Sequence, residues 1–118
     1  MKKILVVDDD EDVLVLMKAF LVRKGYDIMV SKSCNEGIGI FYSFVPDLVI
    51  LDINVGSEDG REMCKTIKTH AGNQHIPVLL ISANSHALTQ YPEYGANGII
   101  EKPVEISSLL DMIRTHLK

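Results

Sequence analysis

The sequence predicts an α/β fold: a doubly wound parallel sheet of five strands, covered by helices on both faces. Three observations predict it. Short apolar runs alternate with stretches of helical periodicity five times along 118 residues. The runs are nearly continuous in apolar residues, as expected of strands buried on both faces. Most of the runs stop abruptly at an acid or a hydroxyl.

Ile4-Leu5-Val6-Val7 is a short β-branched run and reads as the first strand. Val13, Leu16, Met17, Phe20 and Leu21 then recur at helical spacing. Gly25 after Arg23 and Lys24 marks that helix's end. Tyr26 to Val30 is a second strand, and Cys34 to Phe44 a helix weakened by Gly37 and Gly39. Pro46 closes the connection to a third strand, Leu48 to Leu51. Residues 54–60 read as a glycine-containing loop, and Glu62 to His70 as a helix burying Met63 and Ile67, punctuated by Gly72 and Asn73. Ile76 to Ile81 is a fourth strand, with Pro77 tolerable only near its start. The segment 84–94 allows a short helix, interrupted by Pro92. Gly98 to Ile100 is a fifth strand, and the stripe from Ile106 to Leu117 gives a closing amphipathic helix.

The bulk properties narrow the function classes. The length suits one domain, residues 1–118, with little room expected for a second. The net charge is −4 and the basic residues are spread along the chain, which argues against a nucleic-acid footprint. No apolar stretch is long enough to cross a bilayer, and the apolar start is cut short by acids from Asp8 to Asp12, unlike a signal peptide. A cytoplasmic protein is expected. Cys34 and Cys64 are isolated, and His70, His75, His86 and His116 show no metal spacing. There is no phosphate-binding GxxxxGK[ST] loop and no GxGxxG after the first strand.

Ligands of open parallel sheets bind beyond the C-terminal ends of the strands. Strand one ends in Asp8 and Asp9, strand three in Asp52, strand four in Ser82, and strand five in Glu101 and Lys102. The carboxylates of Asp8, Asp9 and Asp52, the Ser82 hydroxyl and the Lys102 ammonium thus converge on one edge. Clustered carboxylates repel one another, and a cation relieves them. Oxygen-only donors favour Mg²⁺, Mn²⁺ or Ca²⁺ over Zn²⁺, and Mg²⁺ suits one or two carboxylates with phosphate oxygens, here Asp9 and Asp52 supported by Asp8. A carboxylate is also a nucleophile that can form an acyl phosphate. Lys102, Ser82 and nearby backbone N–H groups would then neutralise the phosphoryl oxygens.

Each residue also has a plainer reading. The acids from Asp8 to Asp12 suit a helix N-terminus. Asp52 could be a structural cap, Ser82 a turn hydroxyl, and Lys102 a surface lysine before a turn proline. The combination favours the chemical reading.

The chain resembles the receiver domain of bacterial two-component response regulators. The resemblance rests on Ile4 to Asp10, Pro46 to Asp52, Asp59-Gly60, Pro77 to Ala83, Gly95-Ala96 and Glu101-Lys102-Pro103, in order and over essentially the whole chain. It implies a flavodoxin-like (βα)5 fold and Asp52 as the phosphorylated residue. It also implies a Mg²⁺ site from Asp8, Asp9, Asp52 and the Asn54 backbone carbonyl. Ser82 matches the switch hydroxyl, Lys102 the phosphate-pairing lysine, and a cis bond is expected at Lys102-Pro103. The implied partners are a sensor histidine kinase or histidine phosphotransfer protein, and a downstream effector protein or an output domain removed from this chain. The domain would hydrolyse its own acyl phosphate without being a conventional enzyme.

Three departures stand out. Ile99 occupies the switch position where the family usually carries Tyr or Phe. Val55-Gly56 replaces a common Met-Pro after the acceptor, and the segment from Ser82 to Lys102 is slightly short. Ile99 motivates an alternative, a docking module of the same fold that does not depend on phosphorylation. An aspartate-nucleophile phosphatase would need an acid two residues after Asp52, where this chain has Asn54.

Overall fold

The computed structural model describes residues 1–70, 72–83 and 90–117. Five parallel strands form the main sheet: β1 (Lys3–Val7), β2 (Asp27–Ser31), β3 (Leu48–Asp52), β6 (Val78–Ser82) and β7 (Gly98–Glu101), in the order β2-β1-β3-β6-β7. The short strands β4 (Asn54–Val55) and β5 (Glu58–Asp59) form a separate antiparallel hairpin. Among the described residues, four helices flank the sheet: α1 (Glu11–Arg23), α2 (Cys34–Phe44), α3 (Gly60–Thr69) and α4 (Ile106–His116). A 3-10 turn covers Tyr91–Tyr94. The flavodoxin-like, doubly wound expectation holds.

Alternation along the strands divides the core. Ile4, Val6, Ile50, Leu79 and Ile81 face α1 and α4, where they meet Leu14, Met17, Leu21, Leu109 and Ile113. Leu5, Val7, Val49, Leu51, Val78 and Leu80 face α2 and α3, meeting Phe41, Met63, Cys64 and Ile67. The chain leaves β1 towards β2 on one side and returns to place β3 on the other. That reversal opens a crevice at the C-terminal ends of β1 and β3, where Asp8 and Asp52 stand.

Several expected boundaries move for physical reasons. The 54–60 loop is in fact the β4–β5 hairpin, turned at Gly56 with φ +62°. Helix α3 starts at Gly60 because Asp59 caps it, accepting the Arg61 N–H at 3.0 Å. β6 starts at Val78, after Pro77, which has no N–H for the ladder. Leu16 points to solvent, and the buried face of α1 is Leu14, Met17 and Leu21. β2 begins one residue later than expected. Part of the expected 84–94 helix, residues 84–89, lies outside the described residues. The Lys102-Pro103 bond is cis, as expected.

Gly60 seals α3 against the acceptor strand. A Cβ built there collides with the Asp52 carbonyl oxygen and lies 3.2 Å from the Ile53 Cα. Backbone cannot swing aside as a flexible side chain would. Gly60→Ala is therefore expected to destabilise the fold by about 3 kcal/mol, read as a lower urea midpoint at unchanged slope.

Candidate functional site

Backbone bonds fix Asp8 before any ligand is considered. Its N–H donates to the Ser31 carbonyl at 3.1 Å, extending the β1–β2 ladder by one residue. Its Oδ1 accepts the Asp10 N–H at 2.9 Å, and its Oδ2, fully buried, has no hydrogen-bond partner. Asp10 turns outward to cap α1. Asp9 is exposed, and its Oδ2 accepts the Gly56 N–H from the hairpin tip at 3.0 Å. Asp52 is buried at the end of β3; its Oδ1 accepts the Asn54 N–H at 3.1 Å and its Oδ2 accepts the Lys102 ammonium at 2.6 Å.

Lys102 reaches the site because β7 ends beside β6. Ser82 pairs with Glu101 in register, and the Lys102 N–H donates to the Ser82 carbonyl at 2.9 Å. The ammonium also lies 3.8 Å from Asp8 Oδ2. Ser82 is buried at the end of β6, while Glu101 is exposed and stands apart from the acids. Asn54 begins the hairpin, two residues beyond Asp52 and opposite Asp59. Ile99 pairs with Leu80, half-buried against the α2 and α3 core, one pleat below Ser82.

The electrostatics are those of a site short of positive charge. Burial pushes the Asp8 carboxyl up to about 6; the Asp10 N–H opposes this, the Asp52 charge adds to it, and Lys102 opposes it. Burial works against the Lys102 charge too, but the Asp52 contact and the surrounding acids hold its pKa above the usual lysine value. One carboxylate oxygen from each of Asp8, Asp9 and Asp52 lies within 4.8 Å of the others. The nearby Cys34 thiol is pushed up to about 11, first by burial and then by Glu58, Asp59 and Asp52, so it stays protonated. The donors are therefore hard oxygens, and the orphaned Asp8 oxygen is a lone pair in need of a cation. That set fits a hard divalent ion.

The structure thus brings together Asp8, Asp9, Asp52 and Lys102, with Ser82 on the adjoining strand end. Sequence reasoning missed the hairpin residues around them. Gly56 supplies an amide to Asp9, and the Glu58 carboxylate accepts the Cys34 and Asn35 N–H groups at 2.8 and 3.1 Å. Asp59 also pairs with Arg61 at 2.8 Å, which holds its carboxyl below the ordinary range. The guanidinium of Arg61 lies over the Tyr94 ring at 5.3 Å. The sequence signals there were Gly56 and the acids before Gly60, which did not say what they would bond.

A family model described as the response regulator receiver domain matches residues 4–114. The chain belongs to this family. The receiver domain is 32% identical over 120 residues to the transcriptional regulatory protein YxdJ of Bacillus subtilis (strain 168). That alignment takes in all of this chain and 51% of YxdJ, so the chain spans about half of that curated relative. Among solved structures, it is similar to the BeF₃-activated N-terminal receiver domain of Klebsiella pneumoniae RstA. The identity is 28%, the TM-score 0.88, and 99% of each chain is covered. A two-component response regulator from Clostridium difficile gives 27% identity and a TM-score of 0.89, covering 99% of this chain and 96% of that one. The chemotaxis response regulator CheY4 of Vibrio cholerae, 24% identical with a TM-score of 0.91, shares the fold. The chain is thus a receiver domain of two-component signalling. No helix among the described residues is long and apolar enough to cross a membrane.

The buried Asp8 charge has a measurable cost. Its pKa is about 6 folded against an ordinary 3.8, so between those values the folded state binds the extra proton and this carboxyl lowers stability as pH rises. In a chelator at pH 7.5, Asp8→Asn should therefore be more stable than the parent, by about 1–3 kcal/mol. The gap should close below about pH 4. Thermal melts across pH check this, and an equal or lower melting temperature for the variant at pH 7.5 counts against it.

Proposed function

We propose that this receiver domain is a phosphorelay switch in which Asp52 accepts a phosphoryl group from a histidine kinase or a histidine phosphotransfer protein. The observation that carries the reading is the 2.6 Å contact of Lys102 with Asp52, beside two further carboxylates at a strand end. A cation and an acidic cluster on one buried carboxylate suit phosphoryl transfer, which needs positioning and charge neutralisation more than covalent help.

Asp52 is held by its Asn54 bond and by β3, so it meets an incoming phosphoryl group in a fixed orientation. Its carboxylate oxygen attacks phosphorus as the phosphorus–nitrogen bond breaks. The histidine ring leaves with that electron pair and takes up a proton. Lys102, already against Asp52, supplies positive charge to the transferred oxygens, and the Ser82 hydroxyl donates to one of them. Asp8, Asp9 and Asp52 would hold Mg²⁺, with Asn54 contributing through its backbone. When bound, Mg²⁺ supplies further positive charge to the phosphoryl oxygens. Water later attacks phosphorus, the oxygen–phosphorus bond to Asp52 breaks, and inorganic phosphate leaves the free carboxylate behind. The changed state alters partner binding, either to an effector protein or to an attached output domain.

A second reading rests on Ile99, whose side chain packs against the α2 and α3 core and offers no ring to turn inward behind Ser82. Under it the fold docks partners without phosphorylation. Equal partner affinity with and without a phosphate mimic at Asp52 would favour that reading.

Asp52→Asn should abolish labelling by a phosphohistidine donor, and full labelling of that variant would overturn the assignment. Lys102→Ala should still fold but accept phosphate about 100-fold more slowly in the same assay.

A further inference from the structure

The β4–β5 hairpin is too short to stand by itself. It has two residue pairs, Asn54 with Asp59 and Val55 with Glu58, and an isolated ladder of that length has no stability in water. Besides the Asn54 N–H donated to Asp52, further attachments hold it. Val55 is buried in the α2 and α3 core. At the base, the Gly60 N–H donates to the Ile53 carbonyl at 2.7 Å. At the tip, the Gly56 N–H donates to Asp9. At the side, Glu58 accepts from Cys34 and Asn35, which lie 24 and 23 residues earlier in the chain.

The Glu58 attachment completes a helix end. The first four amides of α2 all have acceptors: Cys34 and Asn35 donate to Glu58, Glu36 to the Ser33 hydroxyl at 3.1 Å, and Gly37 to the Ser33 carbonyl at 2.9 Å. A carboxylate on helix N-terminal amides makes charge-assisted bonds and sits at the positive end of the dipole. α2 is itself closely packed here. A Cβ at Gly37 would meet Val7 at 3.1 Å and Met63 at 3.3 Å, so the helix lies directly on β1 and α3. Glu58 therefore anchors the hairpin to a fixed point.

Asp9 gives that anchor its consequence. It is exposed, and its tie to the hairpin runs through the oxygen that accepts from Gly56. A cation on Asp9 shares that carboxylate and draws its charge away from the Gly56 N–H. A hairpin held at its outer end by Asp9 alone would loosen as Asp9 turned to the ion, carrying Asn54 with it.

We propose that Glu58 is a positioning residue for the acidic site: by closing the α2 N-terminus it holds the hairpin in place while Asp9 and Asn54 engage a divalent cation. This rests on the Mg²⁺-dependent reading of the site given above. Glu58 does not touch the reacting atoms; it acts through the hairpin.

The test follows Mg²⁺ in two ways, by the rise in melting temperature on titration and by the rate of phosphorylation from a phosphohistidine donor. In Glu58→Ala the half-saturating Mg²⁺ concentration should rise about tenfold, as for other residues that orient metal ligands. The phosphorylation rate at saturating Mg²⁺ should stay within about twofold of the parent. Glu58→Gln keeps one acceptor for Cys34 and turns a donor onto Asn35, so its shift should be smaller, about threefold. It also serves if the alanine variant does not fold. A lower melting temperature with unchanged Mg²⁺ half-saturation in the folded variants would show a purely structural role and overturn the proposal. If the parent itself neither binds Mg²⁺ nor accepts phosphate, the functional reading fails instead, which is a separate result.

Discussion

A carboxylate with no exposed surface, Asp8, sets the conditions for the rest of the site. A buried charge is tolerated only where its surroundings were fixed in advance. Here the sheet fixes them. The Ser31 carbonyl holds the Asp8 backbone, the Asp10 amide holds one side-chain oxygen, and Lys102 approaches the other from β7. A parallel sheet that reverses between β1 and β3 delivers all of these to one edge. The apolar interior of the strands is thus the support for a small group of charges at their ends.

The supports around those charges differ in stiffness. Asp52 and Lys102 stand on strand ends whose side chains lie in two packed cores. Asp9 and Asn54 depend on a two-pair hairpin held by hydrogen bonds and by one buried side chain, Val55. Ile99 belongs to the stiff part. It is branched at Cβ, with few rotamers to exchange, and sits against the α2 and α3 core. Tyr94 stands at the other end of the same region, with the Arg61 guanidinium over its ring and Lys65 at 5.9 Å. The hairpin and the segment preceding β7 are therefore both in contact with the first turns of α3.

The residues of the site were legible in the sequence because an apolar strand that stops at polar residues places those residues at the sheet edge, whatever the strand order. Asp8, Asp52, Ser82 and Lys102 were all found in that way. Other features left weaker marks. In α1, positions 13, 16, 17, 20 and 21 match a helical stripe as well as 14, 17 and 21 do, and only packing shows that Leu16 faces water. Two-residue strands have no periodicity, so the hairpin read as a loop. Glu58 takes its meaning from amides more than twenty positions away. Helix α2 ends at Val45 with φ 51°, a left-handed conformation with no glycine to announce it.

The contact between Gly60 and the Asp52 carbonyl also bears on how this surface can vary over generations. The base of the hairpin admits no side chain at position 60, so drift there is closed. The tip is different: a Cβ at Gly56 would meet nothing within 4 Å, and only its backbone angle favours glycine. A side chain at the tip would meet no wall, but it would strain the left-handed backbone that aims the Gly56 N–H at Asp9. Base and tip, four residues apart, thus both hold to glycine, the one for want of space and the other for its backbone angle.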